Sequence, residues 1–140
     1  MALHLHHIGV KVDNIQQTSR LLCSTGGFEA EPTAYYPEVG MQIGFINLSN
    51  TLVELLQPMD QNCPIANVEN GLHHLAFEVD NLEAFHIDIS QTPSFCTVQP
   101  IKEGRHGRIF FFQMKAMPGL WYECMEKTKT DDGTGSHSYR

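Results

Sequence analysis

Apolar and polar positions alternate along residues 5–12 (LHHIGVKV), as expected of a strand, and the same alternation returns at 72–79 (LHHLAFEV). Each strand runs into Asp-Asn, at Asp13-Asn14 and Asp80-Asn81, residue types whose side chains favour the start of a helix. The first predicted helix turns Ile15, Leu21 and Leu22 toward one face and stops at Gly26-Gly27. In the second, Leu82, Phe85 and Ile89 recur at i, i+3 and i+7 before Pro93 closes it. Strand-like segments follow both helices. MQIGFINL and TLVELL flank a Ser49-Asn50 turn, and RIFFFQM and LWYECM flank a Pro118-Gly119 turn. With a weaker strand near Phe28 and another at 96–99, each half reads βαβββ.

The strand-to-helix phrase is a repeat. Residues 5–15 and 72–82 lie 67 positions apart and agree at six of eleven positions, most of the others being like-for-like exchanges. A duplicated fold is the simplest source of such self-similarity. The predicted class is α+β: two tandem βαβββ modules, 1–66 and 67–127, related by a pseudo-two-fold axis and forming a curled mixed sheet around a cavity. Residues 128–140 are expected to be a flexible tail of one structural domain.

Strand parity sorts the histidines. Successive side chains point to opposite faces, so His6, Ile8, Val10 and Val12 share one face and His7, Gly9 and Lys11 the other. In the second copy His73, Leu75, Phe77 and Val79 oppose His74, Ala76 and Glu78. The apolar sets are the core face, which leaves His7 and His74 as a matched pair facing away from it, beside small residues that leave room for a ligand. The last strand of each half adds an acid, Glu54 in TLVELLQP and Glu123 in LWYECMEK. A carboxylate in an apolar strand is costly to bury unless paired or bound to a cation. The spacings match, 47 residues from His7 to Glu54 and 49 from His74 to Glu123. A lone strand histidine is more often structural than a ligand, but four coincidences at matched positions reverse those odds. They predict a divalent metal bound by His7, Glu54, His74 and Glu123. Nitrogen and oxygen donors suit Zn, Ni, Co, Mn or Fe(II) without choosing among them. His4, His86, His106 and His137 fall outside the symmetric set, and GRHGR at 104–108 reads as a solvated loop.

Composition narrows the partners. With 41% hydrophobic residues the chain of 140 can bury an ordinary core and is not a disordered polypeptide. A net charge of −7 with nine Lys and Arg supplies no basic stripe for a nucleic-acid backbone. No apolar run approaches the roughly 18 residues of a membrane span, and no basic-then-apolar leader opens the chain, so no membrane partner and a cytoplasmic location are expected. Cys23, Cys63, Cys96 and Cys124 show no paired spacing and read as reduced thiols.

HHIGV and HHLAFEVDN, each with a glutamate in its half's last strand, resemble the vicinal oxygen chelate superfamily. That superfamily includes glyoxalase I, extradiol dioxygenases, drug-resistance proteins and methylmalonyl-CoA epimerase. The resemblance runs from residue 5 to about 126. PEVGMQIGFINLSNTLVELLQP, the following CPI and GLHHLAFEVDN, and GRHGRIFFF are most similar to the epimerase branch. This resemblance implies that His7, His74 and Glu123 are metal ligands and Glu54 a further ligand or active-site acid. It also implies a metal-dependent isomerase or epimerase that removes a proton next to the carbonyl of an acyl-CoA thioester, with Glu54 and Glu123 as acid and base. MQIGFINL lacks the third-strand glutamate that some members use as a base. The alternatives are a glyoxalase I-like lyase, with the same His, Glu, His, Glu order, then an Fe(II) dioxygenase or a ligand-sequestering resistance protein. The expected partners are a small-molecule substrate and a second copy of the chain, as a homodimer.

Overall fold

The computed structural model describes residues 3–26, 29–104 and 107–127, and the same order of elements returns in both halves of the chain. The first half runs β1 (Leu3–Lys11), α1 (Ile15–Gly26), β2 (Glu29–Ala30), β3 (Ala34–Tyr36), β4 (Met41–Asn47) and β5 (Leu52–Pro58). The second runs β6 (Gly71–Val79), α2 (Leu82–Ser90), β7 (Cys96–Val98), β8 (Lys102–Gly104), β9 (Gly107–Met114) and β10 (Trp121–Glu126). The class is α+β. The expected βαβββ order holds, with one additional strand of three residues in each half, β3 and β8. Phe28, residues 105–106 of GRHGR and the tail at 128–140 lie outside the described residues. What is described of GRHGR belongs to a β8–β9 hairpin, with Gly104 opposite Gly107 and Arg108 paired with Glu83 and Glu126.

Both Asp-Asn pairs act as the sequence suggests, and in each the asparagine is the cap. The amide of Gln17 donates to Oδ1 of Asn14 at 2.8 Å, and that of Ala84 to Oδ1 of Asn81 at 3.0 Å. One helical expectation is corrected: Ile15 and Leu22 pack into the core, whereas Leu21 is 63% exposed. Adjacent helical residues lie about 100° apart, so Leu21 and Leu22 cannot share a narrow apolar stripe.

Two compact units divide the chain: His6–His74, and Leu75–Arg140 with the N-terminal residues to Leu5. In the first, β5 pairs antiparallel with β4 and parallel with β1, while β2 and β3 follow one another along β4. Parity gives this sheet two faces. Val10, Val12, Val53, Ile46 and Leu55 pack with Ile15 and Leu22 on the helix side. On the other side Leu56 packs with Cys63 and Ile65 from the segment after β5, against Met41 and Ile43. The face carrying His7, Gly9 and Lys11 is covered here, with His7 5% and Lys11 7% exposed.

The second unit repeats the pairing, with β10 beside β6 and antiparallel to β9, and β7 and β8 along β9. Its core is Val79, Leu82, Phe110, Phe112 and Cys124, onto which Phe85 and Ile89 pack as their spacing predicts. Cross-strand partners Phe112 and Tyr122 stack at 4.8 Å. Among the described residues no helix is long and apolar enough to cross a membrane.

Candidate metal centre

The parallel register of β1 and β5 sets Gly9 beside Glu54, and the antiparallel register of β4 and β5 sets Phe45 on the other side of Glu54. His7 lies two residues before Gly9 on the same face, and His74 enters from β6 at the end of the same unit. Three ligand atoms converge there. Nε2 of His7 is 3.5 Å and Nε2 of His74 3.1 Å from Oε1 of Glu54, and the two Nε2 atoms are 3.1 Å apart. The two rings meet edge to face at 88°. Phe45 closes on His7 from the β4 side, with centroids 6.4 Å apart.

Burial alone would push the Glu54 carboxyl up. The hydrogen bonds and charges of His7 and His74 outweigh it and hold the group well below the usual carboxylate range. Glu54 is thus an ionised acceptor toward which both Nε2 atoms are directed, and an ion bound there would take the place of the protons between them. Two imidazole nitrogens and an ionised carboxylate oxygen gathered at one point fit a cation. Separations of 3.1–3.5 Å are also those between neighbouring ligands around an ion with bonds of roughly 2.0–2.2 Å. Two imidazoles and a carboxylate suit first-row divalent ions without selecting one.

Among the described residues, His7, Glu54 and His74 are the group whose donor atoms could hold a metal together. Glu123 is not in that group. It is the third residue of β10, as Glu54 is the third of β5, lies opposite Phe111 of β9 and belongs to the other unit. Beside it Cys124 is buried, and burial, then the Glu123 charge, pushes its thiol up to about 12. His86, outside the symmetric set, hydrogen-bonds the Gln99 carbonyl at 3.0 Å and meets Phe110 edge to face.

Three residues near the centre were missed by sequence reasoning. His6 and His73, assigned to the packing face, bond through Nδ1 to Nδ1 of His7 and His74, each at 2.8 Å. The doubling of the histidine in both copies is the signal that could have found them. Lys11 is buried and donates from Nζ to the carbonyls of Ala66, at 3.3 Å, and Val68, fixing the segment that leads to His74. Backbone acceptors of this kind leave no mark in a sequence.

Comparison with known proteins agrees with this architecture. Residues 6–112 match the profile of the Glyoxalase/Bleomycin resistance protein/Dioxygenase superfamily. The mitochondrial methylmalonyl-CoA epimerase of Homo sapiens is 30% identical over 125 residues, covering 85% of this chain and 71% of the relative. The ethylmalonyl-CoA/methylmalonyl-CoA epimerase of Cereibacter sphaeroides is 28% identical over 127 residues, covering 85% and 94%. A solved structure of a variant methylmalonyl-CoA epimerase from Streptomyces coelicolor, in complex with 2-nitronate-propionyl-CoA, shares the fold. Its TM-score is 0.72 at 24% identity, covering 93% of this chain and 99% of that one.

Proposed function

We propose that this chain, which belongs to the glyoxalase/bleomycin resistance protein/dioxygenase superfamily and within it to the methylmalonyl-CoA epimerase branch, epimerises a 2-substituted acyl-CoA thioester with the help of a divalent ion. Its activity is of the epimerase type. The observation that carries the metal is the convergence of His7 Nε2, His74 Nε2 and Glu54 Oε1 within 3.5 Å. A divalent ion held there would supply Lewis acidity to the thioester carbonyl, so that the neighbouring carbon gives up its proton more readily.

The residues divide the remaining work. Held ionised by two histidines, Glu54 serves first as a ligand, and as a proton carrier only when substrate draws it from them. We assign the opposing proton transfer to Glu123, whose place in the second half matches that of Glu54 in the first. Buried Phe45, the register partner of Glu54, would shield that carboxylate from water. A homodimer in the cytoplasm completes the proposal, in keeping with four free thiols.

One observation favours a second reading, a glyoxalase-type lyase. On the Glu54 side of the sheet, β4 presents Ile43 and Phe45 and no acid. Within His6–His74 the metal group's carboxylate is then Glu54 alone among the described residues, which suits removal and return of a proton by one base.

Deuterium incorporation at C2 of methylmalonyl-CoA in heavy water, followed by NMR with Co2+-loaded and chelator-stripped protein, tests the proposal. Exchange and interconversion of both stereoisomers, lost on stripping, is the expected result. Rapid turnover of a glutathione hemithioacetal with no exchange into acyl-CoA would promote the lyase.

A further inference from the structure

Each ligand histidine has a histidine for a neighbour, and in both copies the two rings meet in the same way. His6 and His7 are joined Nδ1 to Nδ1 at 2.8 Å, as are His73 and His74. The ring centroids are 5.1 and 5.0 Å apart, with planes crossing at 72° and 89°. Successive strand side chains ordinarily leave on opposite faces. A bond between neighbours, made twice at positions 67 residues apart, is therefore a specific arrangement.

We infer that His6 and His73 are positioning residues: each accepts the Nδ1–H of the ligand beside it and so fixes that ligand in the tautomer whose Nε2 carries a lone pair. A neutral imidazole has one N–H and one lone pair. For His7 and His74 to offer Nε2 to an ion, the proton must sit on Nδ1. Both rings are buried, at 5% and 4% exposure, so that N–H needs an acceptor inside the protein. The Nδ1 of the neighbouring histidine stands at hydrogen-bond distance, and accepting there places the neighbour's own proton on Nε2. The doubled histidine is thus a ligand and its orienting partner, written in consecutive positions in each half.

The inference rests on the metal assignment above, and the measurements separate the two. Co2+ affinity is read by competition with a chromophoric chelator, and tautomers are read from long-range proton–nitrogen spectra of the imidazoles in the ion-free protein. His73→Phe keeps a planar ring without an acceptor; it should weaken Co2+ binding by about 10- to 100-fold and move His74 toward the Nε2–H form. His73→Asn, whose amide oxygen can accept an N–H, should recover much of the affinity and guards against a Phe variant that fails to fold. His6→Phe should act likewise on His7. Unchanged affinity and unchanged tautomers in both Phe variants would overturn the inference and leave the metal assignment standing. Failure of the unaltered protein to take up Co2+ would overturn the metal assignment, and the spectra alone would then decide: Nδ1–H ligands that change form in the Phe variants sustain the bond, and unchanged spectra refute it.

Discussion

The ring of His74 occupies the space in which a side chain on Gly9 would begin. A Cβ built on Gly9 would lie 2.0 Å from Cε1, 2.3 Å from Nδ1 and 2.5 Å from Nε2 of that imidazole. Close approach, not backbone conformation, reserves this strand position for glycine, since the φ of Gly9 is not positive.

Gly9→Ala should therefore drive His74 from Glu54 and His7. Overpacking of this kind costs about 1–3 kcal/mol, and Co2+ affinity should fall with it. Gly119→Ala meets nothing within 4 Å and is the control. Thermal melts and metal titration of the two variants check the difference.

Glu54 makes acid sensitivity a property of the centre. Its folded carboxyl titrates below its ordinary 4.5, because the histidine contacts outweigh burial. Its share of stability is complete above that range and drains away as pH falls through it toward the folded value. In ion-free protein the melting temperature should drop more steeply below pH 4.5 for the unaltered chain than for Glu54→Gln. A pH series of melts on both proteins checks it, and Glu54→Ala should bind Co2+ more weakly than Glu54→Gln, which keeps an oxygen donor.

Cys124 should resist thiol reagents in the folded protein. Burial raises its thiol from 9.0 to about 12, so it stays protonated and inert where the partly exposed Cys23 reacts. Since the folded value exceeds the unfolded one, the stability it contributes is whole below pH 9 and is lost as pH rises toward 12. Timed labelling with a chromogenic disulfide, read by peptide mapping, should show Cys23 modified well before Cys124.

Asn14→Ala and Asn81→Ala should each remove about 1 kcal/mol of stability, measured by urea unfolding. Glycine at either position should cost only a few tenths of that unit.

Much of this architecture can be read from the duplicated phrase, because a period of two and an Asp-Asn cap each leave a direct mark on residue order. His7, Glu54 and His74 were legible for the same reason: parity placed the histidines, and an acid in an apolar strand asks for a partner. Parity also misled. It fixes where a Cβ points, not where a ring ends, so it separated His6 from His7 and His73 from His74. The burial of Lys11 and the packing of the segment carrying Cys63 and Ile65 were not legible, because they depend on the chain's return across β5 and on carbonyl acceptors common to every residue type. The strands β3 and β8 are too short to display a period.

His7 stands one residue inside the start of the His6–His74 unit, and His74 is its last residue. The 3.1 Å between their Nε2 atoms closes a ring of chain spanning 67 residues. The centre is thus a clasp between β1 and β6, strands that lie far apart in chain order, and it opens only when one of them leaves its place. An ion seated there would make the first and last strands of the unit leave together or not at all. Slow amide exchange in β1 and β6, matched in rate and released together by a chelator, is the behaviour of such a fastener. A fragment ending before the second phrase would hold one half of the clasp and could close it only against another chain.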